Sequence, residues 1–363
     1  MPEKTREDVV SKLSRQGYQL LKQSAYGEAA ARFGQALEIE PANCYALVGL
    51  GDVARRQMRP REAVAYYEKC LEHSPDNAFA LFGLADSYRA LRKHREALRI
   101  WERYLHHDSE NVTVLTRVAD AYRKVRNKDK SRDLYRKVLE IEPDNPYALI
   151  GLGHLHYDFR EYEEALACWM RMYRLGGRSV DIRVLTSIGN SYRKLKDFRA
   201  AVPFFNEALE KEPGNFYALF GLADCYRGLN DPEQSLHYWN SILKNDPTNR
   251  VILTRAGDAH RSMGELDQAK RCYLEALEIG DDLYAQLGLA IIAREQGDYA
   301  QSIALLETLR RSDPDAYRVY IELAATYAES GTPREAIEVL TAYSASGTDN
   351  FQIQELIERY RQM

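Results

Sequence analysis

Residues 44–77 read CYALVGLGDVARRQMRPREAVAYYEKCLEHSPDN, and residues 78–111 repeat the pattern as AFALFGLADSYRALRKHREALRIWERYLHHDSEN. In each stretch apolar residues recur every three to four positions in two successive runs, which is typical of two amphipathic helices. Pro75 follows the second run of the first stretch, and proline ends a helix rather than continuing it. The sequence therefore predicts a helical hairpin that recurs every 34 residues.

The 34-residue pattern divides nearly the whole chain into ten repeats. The fifth repeat has two extra residues and the eighth lacks one. Self-similarity at this period predicts stacked hairpins in which each repeat packs on its neighbours. We number positions from the first residue of each repeat and call its two helices helix A and helix B. The first residues are Val10, Cys44, Ala78, Val112, Pro146, Ile182, Phe216, Arg250, Leu283 and Tyr317.

The pattern resembles that of the tetratricopeptide repeat over residues 10 to about 346. The signature residues of that family are present at Leu47, Leu50, Gly51, Ala63, Tyr67 and Pro75 in the second repeat, and at Leu185, Ile188, Gly189, Tyr192, Ala201, Phe205 and Pro213 in the sixth. The resemblance implies an all-α fold, a right-handed α-solenoid of about ten helical hairpins, with residues 1–363 forming a single array. Residues 349–362 are expected to add a capping helix, whose apolar stripe consists of Ile353, Leu356, Ile357 and Tyr360.

In addition to the 34-residue period, the sequence has a longer period of two repeats. The third, fifth and seventh repeats carry tryptophan at position 24, whereas the fourth, sixth and eighth carry tyrosine or phenylalanine there. This alternation indicates that a two-repeat block was duplicated. Because Trp101, Trp169 and Trp239 share one core position, we expect them to pack in the interior rather than to stack on a cofactor.

The face of helix A opposite the packed stripe carries recurring residue types. Position 2 is often aromatic, position 9 is mostly aspartate and position 12 is mostly arginine. The family resemblance implies that peptide segments or partner proteins bind along a concave groove lined by helix A. The predicted groove residues are Tyr45, Asp52, Arg55, Phe79, Asp86, Arg89, Arg117, Asp120, Arg123, Lys124, Tyr147, His154, Asn190, Arg193, Tyr217, Asp224, Arg227, Arg255, Asp258 and Arg261.

Arginine, aspartate and tyrosine in this pattern suit an extended peptide, because guanidinium groups bind carboxylates and tyrosine rings supply rigid contact area. Residues 117–124 and 255–261 each place two arginines around one aspartate, so we expect them to bind an acidic side chain or a terminal carboxylate. The alternative is that each Asp-x-x-Arg is only an ion pair within its own helix, worth ~0.2 to 0.5 kcal/mol. Position 5 lacks the lysine with which chaperone-binding members of the family clamp a carboxylate. A chaperone tail is therefore not the expected ligand.

Composition and motifs argue against several other classes of protein. The mean hydropathy is −0.51, and no apolar run approaches the ~18 to 20 residues of a membrane-spanning helix. The first ten residues lack the apolar core of a secretory signal, and the five scattered cysteines indicate a reducing compartment, so we expect a cytoplasmic protein. The Gly49-x-Gly51-x-x-Ala54 motif falls inside a predicted helix. No cofactor, no metal and no enzymatic activity are therefore expected.

The distribution of charge bears on the partner. The whole chain has a net charge of −4, with +4 on residues 1–145 and −8 on residues 146–363. Nucleic acid is not the expected partner, because a phosphate-binding surface would be more one-sided, whereas self-association remains open. The sequence thus predicts a non-catalytic adaptor for a protein or peptide ligand, which the groove arginines suggest is acidic. Two alternatives stay open: a structural scaffold that uses edge or convex surfaces, and a regulatory subunit of an enzyme on another chain.

Overall fold

Within residues 3–345 and 350–362, which the computed structural model describes, the chain forms 21 α-helices, one 3₁₀ turn and no strand. The chain comprises two compact units, Met1–Val180 and Asp181–Met363, called here the N-terminal unit and the C-terminal unit. The N-terminal unit contains α1 (Glu3–Lys22), α2 (Tyr26–Ile39), α3 (Cys44–Arg56), α4 (Pro60–His73), α5 (Ala78–Ala90), α6 (His94–Leu105), α7 (Val112–Lys124), α8 (Lys128–Ile141), α9 (Pro146–Asp158), α10 (Tyr162–Gly176) and the 3₁₀ turn (Gly177–Ser179). The C-terminal unit contains α11 (Ile182–Lys194), α12 (Phe198–Lys211), α13 (Phe216–Gly228), α14 (Pro232–Leu243), α15 (Arg250–Ser262), α16 (Leu266–Ile279), α17 (Leu283–Glu295), α18 (Tyr299–Ser312), α19 (Tyr317–Glu329), α20 (Pro333–Ala345) and α21 (Phe351–Arg361).

The predicted helical hairpins are confirmed. From the second repeat to the tenth, helix A begins at the residue where the repeat was expected to begin. The first helix instead begins at Glu3 rather than Val10, because residues 3–9 are mostly good helix formers and extend it. Within each unit, helix A packs on its own helix B, and helix B packs on the next helix A. This is the all-α solenoid architecture expected from the sequence, whereas a single array over residues 1–363 stays a prediction.

An asparagine or aspartate caps most of the A helices. In the second to ninth repeats the residue before helix A accepts hydrogen bonds from backbone N–H groups of the first turn through its side-chain oxygen, which satisfies donors that have no partner within the helix. This role accounts for the asparagine that ends the recurring Pro-x-Asn motifs in the sequence. The capping residues are Asn43, Asn77, Asn111, Asn145, Asp181, Asn215, Asn249 and Asp282.

The core of each hairpin is organised around the aromatic residue at position 24 of helix B. Trp101, Trp169 and Trp239 are at most 2% exposed, so their expected place in the interior is confirmed. The ring of Phe205 lies between Gly189 of its own repeat and Gly221 of the next. A Cβ atom on either glycine would come within 3.0 Å of the ring. Glycine at these positions therefore lets the backbones of two A helices approach one ring closely.

Tyr67 shows the same arrangement in the N-terminal unit, between Gly51 and Gly83. The pattern changes after a tryptophan. The repeats that follow Trp101 and Trp239 carry arginine, not glycine, at position 6, namely Arg117 and Arg255. The repeat that follows Trp169 has Ser187 at this position. Within the third to eighth repeats, position 6 is therefore glycine after a tyrosine or phenylalanine ring and another residue after a tryptophan.

Position 15 of every repeat adopts a left-handed backbone conformation. It ends helix A, and the next residue donates its N–H to the carbonyl five residues back, for example Arg59 to Ala54 at 2.9 Å. This is the Schellman arrangement, in which glycine is the usual residue. Here only the last three repeats have glycine there, and the other residues with positive φ at this position are Ser24, Met58, Arg92, Arg126, Arg160, Lys196 and Asn230.

We expect Met58→Gly to raise the free energy of unfolding by about 0.5 to 1 kcal/mol. A left-handed conformation costs an L-residue ~1 to 2 kcal/mol, and the greater freedom of glycine in the unfolded chain offsets part of that gain. The Met58 side chain is 85% exposed, so its removal loses little packing. Gly264→Ala, at the same position with φ 79°, should lower the free energy by about 1 kcal/mol. Urea unfolding measures both variants, and a change of the same sign in the two would contradict the explanation.

The expected capping helix is present as α21, Phe351–Arg361, within the predicted range 349–362. The side chain of Asn350 accepts hydrogen bonds from the N–H groups of Gln352 and Ile353, whereas Asp349, which the sequence also offers as a cap, lies outside the described residues. Ile353 and Ile357 are buried in one cluster with Leu340 and Tyr343 of α20 and with α19. None of the described helices is long and apolar enough to span a membrane.

Candidate functional site

Exposed aromatic side chains recur on the A helices, as the sequence predicts. Position 2 lies in the first turn of helix A, and its side chain points away from the buried stripe. Five aromatic residues at this position are between 53% and 76% exposed, which is unusual for such large apolar groups. They are Tyr45, Phe79, Tyr147, Tyr217 and Tyr284. We call the surface formed by positions 2, 5, 6, 9, 12 and 13 of the A helices the helix A face.

The helix A face of the N-terminal unit contains two neighbouring pockets. One, of about 380 Å³, is lined by Tyr18, Cys44, Tyr45, Val48, Asp52, Asn77 and Phe79. The other, of about 520 Å³, lies beside α1 and shares Tyr18 and Tyr45 with the first. The Tyr18 hydroxyl donates to the backbone carbonyl of Tyr45 at 3.2 Å, and burial raises the pKa of Tyr18 well above its usual range. The Tyr18 hydroxyl therefore stays protonated and keeps its hydrogen bond between α1 and α3.

Asp52 and Arg55 begin a series of side-chain ion pairs and hydrogen bonds that joins successive repeats. We call this series the polar ladder and the part that starts in one repeat a rung. Arg55 donates to Asp52 in its own helix at 3.1 Å and to Asp86 in the next repeat at 2.9 Å. Tyr67 donates its hydroxyl to Asp52 at 2.7 Å. Burial, followed by the Asp52 charge, raises the pKa of Tyr67 well above its usual range, so this hydroxyl remains a donor. The rung thus joins helix A, helix B and the following repeat.

Asp86 contacts three guanidinium groups, which come from three successive repeats. Arg55 approaches it from the second repeat at 2.9 Å, Arg89 from its own helix at 3.5 Å, and Arg117 contacts it from the fourth repeat. Arg117 also lies over the ring of Phe82, 4.6 Å from its centroid. Asp86 is only 5% exposed. It therefore acts as a buried anion that neutralises part of the charge on three arginines.

The fourth repeat makes a similar bridge in the next step of the stack. Arg123 donates to Asp120 at 2.8 Å and to Asp158 of the fifth repeat at 2.6 Å, while Lys124 is exposed. His154 packs edge-on against Trp169, with ring centroids 4.9 Å apart. Burial, and then the charge of Arg123, lowers the pKa of His154. His154 is therefore a neutral ring at neutral pH.

In the C-terminal unit, Arg193 repeats the bridge. It contacts Asn190 in its own helix at 3.1 Å and Asp224 in the next repeat at 2.5 Å. Arg227 contacts the same Asp224 at 2.6 Å. Burial alone would raise the pKa of Asp224, but the hydrogen bonds from Arg227 and Arg193 lower it overall. Asp224 is therefore the C-terminal counterpart of Asp86, with two guanidinium partners.

Asp258 lies in a different environment. Burial raises its pKa although Tyr273 donates to it at 2.8 Å and Arg255 lies 3.8 Å away. Arg261 contacts Glu295 of the next repeat at 2.8 Å instead of pairing with Asp258. A cavity of about 60 Å³ remains between Arg227, Arg255 and Asp258. It is too small to hold more than one or two water-sized groups.

The ladder adds partners that the sequence analysis did not select. Residues 117–124 and 255–261 were expected to bind an acidic side chain or a terminal carboxylate, which stays a prediction. In the structure Arg123 and Arg261 contact carboxylates of the following repeat, Asp158 and Glu295. The intrahelical ion-pair interpretation is also incomplete, because the same guanidinium groups join neighbouring repeats. An acidic residue at position 13 of the repeat after an arginine was the signal that could have identified these partners.

Comparison with known sequences identifies the repeats independently. Sequence models described as tetratricopeptide repeat match residues 43–105, 82–146, 116–178, 192–247, 252–279 and 293–360. No curated protein matches the chain with significant similarity.

Solved structures share the fold at low sequence identity. The C-terminal part of a tetratricopeptide repeat-containing protein from Cytophaga hutchinsonii is 15% identical, with a TM-score of 0.56, and the match covers 67% of this chain and 98% of that one. A pilF structure from Pseudomonas aeruginosa is 19% identical, with a TM-score of 0.50, and the match covers 59% of this chain and 96% of that one. At these identities the likeness concerns the fold.

Proposed function

Because the chain belongs to the tetratricopeptide repeat family, whose members generally mediate protein–protein interactions, we propose that it is a non-catalytic adaptor. In this proposal its ligand is a peptide segment of a partner protein, bound on the helix A face. The observation that carries the proposal is the row of exposed aromatic side chains at position 2 beside the two pockets of the N-terminal unit.

Tyr45 and Phe79 form the apolar part of the proposed site. They flank the pocket of about 380 Å³, which is large enough for one or two peptide side chains. Exposed aromatic rings lose little conformational entropy on binding and are frequent energetic centres of interfaces. Asp52, in the same pocket, retains a partly exposed carboxylate that can accept a peptide N–H group.

An acidic part of the peptide is proposed to lie against α1. Arg15 and Lys22 line the pocket of about 520 Å³ together with Ser11, Ser14 and Gln19, and no described Asp or Glu lines it. Cations without a lining carboxylate can pair with an acidic side chain. In contrast, Arg123 and Arg261 are proposed to fix the spacing of neighbouring repeats, since each already contacts carboxylates of the chain itself.

The proposal is tested with a peptide selected from a random library on the intact protein. Tyr45→Ala with Phe79→Ala should weaken binding of that peptide at least tenfold in a fluorescence anisotropy titration, because two exposed anchors are removed. The protein should stay folded, since both side chains are mostly exposed. Phe351→Ala is the matched control: Phe351 is 84% exposed on α21, outside the helix A face, and its loss should leave the affinity unchanged.

The same experiment separates the proposal from the scaffold alternative. If removing Tyr45, Phe79, Tyr147 and Tyr217 together leaves peptide affinity intact, the helix A face does not hold the ligand. Loss of binding on substitution of helix B residues in the same assay would then support contact through the outer surface.

A further inference from the structure

The turns between helix A and helix B line one edge of the N-terminal unit, and this edge carries many exposed cations. The turns of the fourth and fifth repeats touch one another, because Arg126 lies over the ring of Phe159, 5.8 Å from its centroid, and Lys128 pairs with Glu161. We call the following exposed residues of the third to fifth repeats the basic edge: Arg92, Lys93, Arg126 and Arg160.

Three carboxylates near these turns are paired with other cations. Asp158 contacts Arg123 at 2.6 Å, and Glu161 contacts Lys128 and His156. Glu62 contacts Arg59 at 2.6 Å. Among the described residues, no ion pair within 4.0 Å joins a member of the basic edge to an acid. The basic edge therefore forms no ion pair with an acid of the described chain, although the exposed Glu96 lies three residues after Lys93.

Three of these cations lie at a position that disfavours their side chains. Arg92, Arg126 and Arg160 occupy position 15 of three successive repeats, with φ of 58°, 63° and 63°. The last three repeats place Gly264, Gly297 and Gly331 at the same position, where glycine avoids the steric cost. Strained backbone that persists at a surface is a reason to look for a function of the side chain. In the third to fifth repeats that side chain carries a positive charge.

The basic edge is not a general property of the repeat. In the C-terminal unit, the residue after position 15 is acidic in four repeats: Asp197, Asp231, Glu265 and Asp298. In the N-terminal unit the corresponding residues include Arg59 and Lys93, but Glu161 in the fifth repeat. Position 15 itself is Lys196 in the sixth repeat and is uncharged in the later repeats. The turns of the third and fourth repeats are therefore more basic than those of the seventh to tenth repeats.

We propose that the basic edge binds an acidic segment of a partner protein, rich in aspartate and glutamate, at a site separate from the helix A face. Position 15 follows position 2 by thirteen residues, which places the two sites about 20 Å apart along helix A. A protein segment fits better than nucleic acid, because residues 1–180 carry 30 basic and 26 acidic side chains, a net charge of only +4. The exposed aromatic rings that could stack on bases lie at the opposite ends of the A helices.

The test uses fluorescein-labelled decaglutamate and the intact chain. The triple variant Arg92→Gly, Arg126→Gly and Arg160→Gly should bind decaglutamate at least tenfold more weakly than the wild type, with a smaller dependence on salt. Its urea midpoint should be equal or higher, since glycine relieves the left-handed conformation. The matched control, Ser24→Gly, Met58→Gly and Asn230→Gly, makes the same backbone change without removing charge and should keep wild-type affinity.

Three results would overturn the proposal: no binding of decaglutamate by the wild type at low salt, equal affinity in the wild type and the charge-removing variant, or tighter binding of a dT10 oligonucleotide than of decaglutamate. The last result would assign the edge to nucleic acid. The peptide selected for the helix A face should bind the charge-removing variant normally. Failure of one site can therefore be distinguished from failure of the other.

Discussion

Gly221→Ala is expected to lower the free energy of unfolding of the C-terminal unit by about 2 to 3 kcal/mol. The added methyl group would come within 3.0 Å of the Phe205 ring, which is fully buried. The backbone of Gly189 approaches the same end of the ring, so the ring has little room to move away. Overpacking of a filled core costs ~1 to 3 kcal/mol, and this site belongs at the upper end because two glycines already lie close to the ring.

The matched control is the same substitution where space is open. Gly34 lies within α2, and a Cβ there meets nothing within 4 Å. Gly34→Ala should therefore raise stability by roughly 0.5 to 1 kcal/mol through helix propensity. Phe205→Leu combined with Gly221→Ala should cost less than the sum of the two single changes. Additive urea unfolding energies would show that ring and glycine are not in steric conflict.

Asp86→Ala is expected to lower the free energy of unfolding of the N-terminal unit by about 2 to 3 kcal/mol. The substitution leaves Arg55, Arg89 and Arg117 close together without their shared carboxylate. Removing one partner of a buried ion pair costs ~3 to 5 kcal/mol, and the partial exposure of these arginines reduces that range.

Asp120→Ala is the control at the same position of the next repeat. Asp120 has a side chain 40% exposed, and its partner Arg123 keeps Asp158 after the change. The expected loss is therefore ~0 to 1 kcal/mol. Urea unfolding of both variants at low and high salt would measure the difference, and equal losses would mean that Asp86 does not neutralise the three-arginine cluster.

The helical architecture could be predicted because the same pattern of apolar residues recurs in each repeat. A start such as Cys44 or Tyr317 follows from apolar spacing within one repeat, and ten copies fix the register. The start of the first helix could not be predicted in this way, because residues 3–9 precede the first repeat and extend the helix through local propensity alone. The exposure of Tyr45 and Phe79 likewise followed from helical geometry.

Partners across repeats could not be predicted in the same way. Arg55 pairs with a residue 31 positions ahead, whereas Arg123 pairs with one 35 positions ahead. Both choices are compatible with one period, so the repeat length alone does not identify the partner. The acidic residue of the following repeat, at position 9 or at position 13, becomes a recognisable signal once the packing shows that an arginine reaches both positions. The left-handed conformation at position 15 could not be predicted for another reason. Position 15 is glycine in three repeats but serine, methionine, asparagine, lysine or arginine in the others. No single residue type therefore marks it.

The contact between the ring on helix B and the glycine on the following helix A limits which repeats can be deleted or inserted. Deleting residues 78–111 would bring Arg117 to the place of Gly83, against the ring of Tyr67, where no Cβ fits. Deleting residues 78–145 would bring Gly151 there instead, and Gly151 already accepts a tyrosine ring from Tyr135. Within the third to eighth repeats, where the rings alternate, loss of two neighbouring hairpins should therefore be tolerated better than loss of one.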